Sequence, residues 1–360
     1  MKYVFSFLVL LHGLIHFMGF AKAFHFAKIE QLTKDISKPT GVLWLITGVL
    51  FIVAMLLYLF KNDFWAVLAI LATIVSQIII FFFWKDAKFG TIANFIILVV
   101  SIISWATTNF ENSYKKDVVI AMSSIPKEVE LITTKDLQHL PVSVKKYLNY
   151  VGVVDQPKVY NFKIVFEGEM REKGKDWFLF TSEQYNFIET PTRLFFMKGK
   201  VSGLPTNGYH KYLKNEASMT IKVLSLFPVV KIDSPELFQT ETVTYFNDLC
   251  LFAPASLINK NIQWEEINER SAKAIFTSNG ITISAILHFN EKGQLINFVS
   301  NDRSAVSGMK PIPFSTPAKE YKRINGLLIP TYGETIWHYP EADFTYGKFY
   351  LKTIEFNTVQ

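Results

Sequence analysis

Long uncharged runs dominate the first third of the chain. Residues 3–21, 41–60, 64–84 and 89–110 form runs of 19 to 22 residues that contain no Lys, Arg, Asp or Glu. A helix needs roughly 20 apolar residues to cross a hydrocarbon core of about 30 Å. Three of the runs also carry tryptophans at or near their ends, as an aromatic belt would place them. The pattern therefore predicts four transmembrane helices within residues 1–110.

Two features of the loops predict how these helices are inserted. The first run has only Lys2 in front of it and no prompt A-x-A site behind it, so we interpret it as a retained helix and not as a cleaved signal peptide. Six lysines occupy the loops at residues 22–38 and 85–88, against four on the opposite side. Because lysine-rich loops stay in the cytoplasm, the rest of the chain is predicted to be extracytoplasmic.

The hydrophobic period changes after a polar connector at residues 111–132. A helix is predicted over residues 135–150, or from Pro141 onward because proline fits a first turn, and Gly152 is expected to end it. Alternating strands follow from residue 160 onward, and Asn279-Gly280 and Asn325-Gly326 are typical of hairpin turns. The pattern predicts roughly nine or ten strands of a meander, interrupted by one or two helices at residues 235–260.

These elements predict a multi-domain membrane protein with a four-helix transmembrane bundle at residues 1–110 and an α+β domain at residues 133–360. A long antiparallel sheet with few helices must bury one face, so it curls into a half-barrel or closes into a barrel. Phe is unusually frequent, with 33 residues. Those side chains either line an apolar ligand cavity or fill an ordinary core, and the sequence leaves both readings open.

Composition agrees with this division. Charged residues make up 12 of the first 110 positions but 56 of the remaining 250, so the overall 19% is an average of two unlike parts. A net charge of +6 is too mild to indicate a nucleic-acid partner. Cys250 is the one cysteine, which excludes an internal disulfide and a zinc cluster built from cysteines.

Several charged residues stand where chemistry or ligand binding could occur. Glu241 and Asp248 lie seven residues apart, and therefore on one face of a predicted helix. Carboxylates that face an apolar cavity can act as acid or base, but they can equally pair with Arg303 and brace the helix against the sheet. No G-x-S-x-G, H-E-x-x-H, C-x-x-C or phosphate-binding loop is present. The candidate ligand-binding residues are Glu241, Asp248, Asp302, Arg303, Glu334 and Trp337.

Two histidines occur inside the first predicted span. His12 and His16 are four residues apart, on one helical face. Imidazoles at that spacing can ligate a metal or face a haem, or they can bond Ser76, Gln77 or Asn94 on neighbouring helices. We expect the second arrangement, a polar pair within the membrane, and therefore predict no metal and no cofactor.

Several segments carry a family resemblance: ETVTYFNDLCLFAPASLI at residues 241–258, WEEI at 264–267, HFNEKGQL at 288–295, Asp302-Arg303, Glu320-Tyr321, Ile329-Pro330 and ETIW at 334–337. They resemble an uncharacterised bacterial family of membrane-anchored proteins, whose soluble part is a domain of unknown function. The resemblance covers residues 140–356, and in the membrane half it extends to residues 12–20 and 86–94. It implies a membrane protein without an assigned activity. The soluble part is also similar to lipoprotein-carrier half-barrels, which hold acyl chains.

Together these observations predict a membrane-anchored, extracytoplasmic module that binds a lipid or another hydrophobic ligand without catalysis. One alternative is an envelope-modifying or lipid-modifying enzyme that uses carboxylates in the cavity of the sheet. Another is a non-catalytic scaffold whose helices recruit a protein partner. The sequence alone does not decide between them.

Overall fold

The computed structural model describes residues 2–123, 130–306 and 308–359. The chain divides into two compact units, Met1–Phe110 and Glu111–Gln360. Part of the predicted connector, residues 124–129, lies outside the described residues.

The first unit is helical. Four of its helices are long and apolar enough to cross a membrane, which confirms the prediction from the uncharged runs. Small residues let two of them approach closely: a Cβ atom added at Gly48 would lie 2.7 Å from the carbonyl oxygen of Gly13. The helices are α1 (Lys2–Ala23), α2 (Lys38–Leu59), α3 (Trp65–Phe82), a short α4 (Trp84–Ala87) and α5 (Gly90–Met122), the last of which continues into the second unit.

The second unit combines two further helices with many strands. Helix α6 spans Val142–Val151 and ends at Gly152, whose φ of +84° favours glycine. Helix α7 spans Pro235–Phe252 and is capped by the side chain of Ser234. The strands are β1 (Asn161–Met170), β2 (Phe178–Phe187), β3 (Thr192–Val201), β4 (Leu204–Tyr212), β5 (Ala217–Val223), β6 (Phe227–Ile232), β7 (Ile262–Asn268), β8 (Ser271–Ser278), β9 (Ile281–Phe289), β10 (Leu295–Ser300), β11 (Ser304–Ala305), β12 (Lys310–Pro311), β13 (Phe314–Ile324), β14 (Leu327–His338) and β15 (Asp343–Phe356).

Thirteen of these strands, among the described residues, form one open antiparallel sheet in the order β6-β5-β4-β3-β2-β1-β15-β14-β13-β10-β9-β8-β7. Helix α7 contacts β4 and β5 near one edge, β9 and β10 near the other, and β14 between them. The hydroxyl groups of Tyr212 and Ser278 lie 3.3 Å apart and join β4 to β8. The sheet therefore curls around α7, and the predicted α+β half-barrel is confirmed.

The sheet has more strands than the nine or ten that the alternation predicts. Strands β6 and β7 form its two edges, and both lack a regular apolar alternation. Strand β6 carries Pro228, and β7 carries the adjacent acids Glu265 and Glu266. Proline and charged side chains are common at sheet edges because they discourage pairing with another chain. Because of these residues, the two strands lack the alternation of apolar and polar positions from which strands are predicted.

Aromatic side chains fill the space between α7 and the concave face of the sheet. The rings of Phe246 and Phe276 stack with centroids 4.5 Å apart, and Phe246 also meets the edge of Phe298. A void of about 10 Å³ remains beside Tyr245, which is about the smallest space that holds one water molecule. In this part of the unit the phenylalanines are packed as a core, one of the two readings that the sequence left open.

The last turns of α5 belong to the second unit and lie on the opposite, convex face of the sheet. Tyr114 is buried there and stacks on Phe196 with centroids 5.5 Å apart. Its hydroxyl donates to Glu183, and the hydroxyl of Tyr209 donates to Asp117. The helix thus extends into the segment for which the sequence predicts a polar connector, because apolar and polar side chains alternate there with helical spacing.

Candidate functional site

Helix α7 brings Glu241 and Asp248 together on the face that meets β3. Arg193 of β3 lies between them, with Nε 2.7 Å from Asp248 Oδ2 and Nη1 3.1 Å from Glu241 Oε2. All three side chains are buried, with Arg193 6% and Glu241 2% exposed. The predicted shared helical face is therefore correct, but the arginine that pairs with it is Arg193 and not Arg303.

Amide side chains complete this buried network. Gln184 Nε2 donates to Asp248 Oδ2 at 2.7 Å, while its Oε1 accepts from Arg193 Nη2 at 3.0 Å. On the other side, Nδ1 of His210 lies 3.2 Å from Glu241 Oε1. Each buried charge thus has an opposite charge and further hydrogen bonds, which is the condition under which buried ions are tolerated.

The network holds Glu241 in its ionised form. Burial alone would raise the pKa of this carboxyl, but the Arg193 guanidinium and the hydrogen bond from His210 outweigh it and lower the pKa to about 2. A general acid or base works best when its pKa lies near the operating pH. The geometry therefore suits a brace between α7 and β3 better than it suits proton transfer.

Arg303 and Trp337 meet in a separate aromatic cluster. The guanidinium lies 4.2 Å from the ring centroid of Phe314 and 5.0 Å from that of Trp337. It donates from Nη1 to the hydroxyl of Tyr346 at 2.6 Å and from Nε to Thr244 at 3.2 Å. This stacking is typical of an arginine held by cation–π contacts.

The two remaining candidates lie elsewhere. Asp302 accepts from the backbone and hydroxyl of Ser284 on β9, at 2.6 and 3.2 Å. Glu334 accepts from Tyr332 on its own strand, at 2.9 Å. In the structure, Glu241 and Asp248 share one network, and Arg303 and Trp337 share another. Asp302 and Glu334 each bind other partners.

A groove of about 470 Å³ runs over the convex face, where β15, β1, β2 and β3 adjoin. Leu179, 72% exposed, and Tyr350, 43% exposed, provide apolar surface beside it. The sequence did not indicate this groove, because its lining comes from four strands that only the folded sheet brings together. A signal for the groove in the sequence is Lys198-Gly199-Lys200, which places two lysines on one face at the end of an apolar strand. The groove is lined by Glu167, Gly168, Glu169, Leu179, Phe180, Thr181, Lys198, Gly199, Lys200 and Tyr350.

Most charges around the groove are already paired. Lys352 and Lys348 lie 3.0 and 3.1 Å from Glu167 and Glu169. Lys198 lies 2.5 Å from Glu111 of α5. Lys200 is exposed, and none of the ion pairs found among the described residues includes it. The groove therefore combines an apolar wall with one lysine that is available to an anionic group.

His12 and His16 of the first unit belong to a network of neutral hydrogen bonds. Nδ1 of His16 lies 2.8 Å from the carbonyl oxygen of His12, so this nitrogen carries the proton and Nε2 accepts from Ser76 at 3.0 Å. Nε2 of His12 donates to Asn94 Oδ1 at 2.8 Å, and Asn94 donates in turn to Gln77. These are the three polar partners that the sequence offered. No group of three metal-ligating side chains occurs in the part of the chain that the structure describes.

Comparisons with other proteins identify a family for this chain but no activity. Residues 130–349 match the sequence profile described as a family of unknown function, DUF6544. No curated protein matches the chain in a sequence search. Among solved structures, a LolA superfamily protein from Nitrosomonas europaea aligns at 8% identity with a TM-score of 0.36, covering 64% of this chain and 96% of that one. The family match confirms the resemblance to an uncharacterised family, while the structural similarity is too remote to indicate a ligand.

Proposed function

The chain belongs to the DUF6544 family of unknown function, and we propose that its second unit binds one lipid or similar amphiphile while the four helices hold it in a membrane. The binding site is the convex groove. We further propose that the unit is extracytoplasmic and does not catalyse a reaction on its ligand. The observation that carries the proposal is a groove of suitable size that presents exposed apolar surface beside an available lysine.

The size and surface of the groove support this function. A volume of about 470 Å³ falls within the range of small-molecule binding sites. A leucine that is 72% exposed on a strand is costly to leave in water, and a bound acyl chain would cover it.

The charges support an amphiphile with an anionic head group. Phe180 pairs with Gly199 in the antiparallel register, so the next positions, Leu179 and Lys200, lie side by side. A ligand whose chain covers Leu179 can therefore place its anionic group on Lys200. The paired glutamates Glu167 and Glu169 carry no net charge with their lysines and do not oppose this arrangement.

The buried network supports a non-catalytic role. Arg193 occupies both carboxylates of α7, and the pKa of Glu241 lies far below neutrality. The extracytoplasmic location is supported by the excess of lysines in the loops at residues 22–38 and 85–88.

Native mass spectrometry of the full-length protein, released from detergent after purification from membranes, tests the ligand. Wild-type protein is expected to carry a co-purifying lipid, and Leu179→Asp is expected to lose it. The matched control is Ile267→Asp, since Ile267 is also an exposed apolar residue but lies on β7 at the edge of the sheet. Retention of the same lipid by Leu179→Asp, or a wild type without lipid, would overturn the proposal.

A second pair of variants tests the head group. Lys200→Glu is expected to change the bound lipids from anionic to zwitterionic species, because it replaces the available cation. Lys260→Glu makes the same change of charge at an exposed position outside the groove and is expected to leave the lipid composition unchanged.

A further inference from the structure

Three exposed apolar side chains lie on two neighbouring hairpins at one end of the sheet. Leu204 is 50% exposed, Phe227 62% and Val229 60%. Leu204 follows the turn between β3 and β4, and the other two follow the turn between β5 and β6. We call these three residues the tip patch. A hydrogen bond of 2.7 Å from the backbone of Leu224 to that of Pro205 joins the two hairpins, so they lie side by side.

Basic residues flank the tip patch, and acids are missing from both hairpins. Residues 198–206 and 222–231 contain Lys198, Lys200, Lys222 and Lys231 but no Asp or Glu. Exposed apolar side chains with lysines nearby are typical of surfaces that enter the head-group region of an anionic bilayer.

Two ion pairs show the direction in which the last turns of α5 run over the sheet. Glu111 directly follows the last apolar run and pairs with Lys198, near the end of β3 that leads into the hairpin. Asp117, six residues later, pairs with Lys211, farther from that hairpin on β4. The helix therefore begins its path over the sheet at the hairpin end and continues away from it.

The length of the apolar run places Glu111 at the surface of the bilayer. The helical residues 90–110 number 21 and rise by about 32 Å at roughly 1.5 Å each, close to the thickness of a hydrocarbon core. We propose that the tip patch inserts into the surface of an anionic bilayer and that this contact holds the second unit against the membrane. This inference does not depend on a lipid being bound in the groove.

Fluorescence quenching in reconstituted vesicles tests the insertion. The full-length protein is placed in vesicles of phosphatidylcholine and phosphatidylglycerol, with an environment-sensitive fluorophore on Leu204→Cys, on Phe227→Cys or on Ile267→Cys. The native Cys250 is fully buried and does not compete for the label. Lipids that carry a nitroxide just below the head group are expected to quench residues 204 and 227 several-fold more than residue 267.

Equal quenching at all three positions, or no quenching at residues 204 and 227, would overturn the proposal. So would protection of residues 204 and 227 without lipid quenching in protein that migrates as a dimer, because the patch would then bind a second copy. The same measurement in the Leu179→Asp background separates the two proposals. If this variant loses the groove lipid while residues 204 and 227 are still quenched, insertion of the tip patch is supported independently of lipid binding in the groove.

Discussion

Arg193 and Asp248 meet with a separation of 2.7 Å inside the second unit, one on strand β3 and the other on helix α7. The same guanidinium also holds Glu241, so one arginine balances two buried carboxylates. This arrangement ties the central helix to the sheet that curls around it, and it determines how the unit should respond to mutation and to pH.

Replacing Arg193 with methionine is expected to destabilise the second unit by about 3–5 kcal/mol, because two buried carboxylates lose their counter-charge. Chemical unfolding of the full-length protein in a non-ionic detergent, followed by circular dichroism in the aromatic region, measures the loss. The control is Lys273→Met, which removes an exposed ion pair with Glu265 and is expected to cost less than about 1 kcal/mol. A similar loss of stability in both variants would show that the buried network stabilises the unit no more than an exposed ion pair does.

The stability of α7 is expected to fall in acid. The pKa of Glu241 is about 2 in the folded protein and about 4.3 in an unfolded chain, so the carboxylate stabilises the fold above the higher value. The contribution, on the order of 3 kcal/mol, is lost progressively as the pH falls from about 5 toward 2. Hydrogen exchange of α7 peptides at several pH values measures it. Glu241→Gln should show a shallower acid dependence than the wild type, and parallel curves would contradict this assignment.

His12 is expected to stabilise the membrane helices through its hydrogen bond to Asn94, and not through a cofactor. His12→Leu leaves the Asn94 oxygen without this donor and is expected to cost about 1 kcal/mol, as interhelical hydrogen bonds in membranes typically contribute. Thermal unfolding in detergent measures this, with His25→Leu at an exposed position as control. A Soret band in the absorption spectrum of the purified wild type would contradict the assignment.

The proposed orientation predicts which cysteines a membrane-impermeant maleimide can reach. In spheroplasts, Glu341→Cys in the second unit is expected to react, whereas Lys88→Cys in a lysine-rich loop is expected to react only after the membrane is opened. Burial raises the pKa of the Cys250 thiol well above its ordinary value, so the native cysteine is expected to stay unlabelled in both. The reverse pattern of labelling would place the second unit in the cytoplasm.

Elements that depend on local pattern were predictable from the sequence. The four spans follow from uninterrupted apolar runs, since a helix in lipid satisfies its own backbone wherever such a run occurs. Helix α7 and the strands with strict alternation were found for a similar reason: their buried faces repeat with a fixed period. Edge strands β6 and β7 lack that repeat, because much of each strand faces solvent.

Only the tertiary structure decided which residues that are far apart in the chain come into contact. The spacing of Glu241 and Asp248 indicated a shared face, but Arg193 lies 48 and 55 residues away in the chain and becomes their partner only when the sheet curls around α7. Likewise, no local pattern showed that the phenylalanines beside α7 would stack into a filled core, or that Leu179 and Lys200 would border a groove on the opposite face. Periodicity is a property of neighbouring residues, whereas pairing and cavities depend on how the whole sheet bends.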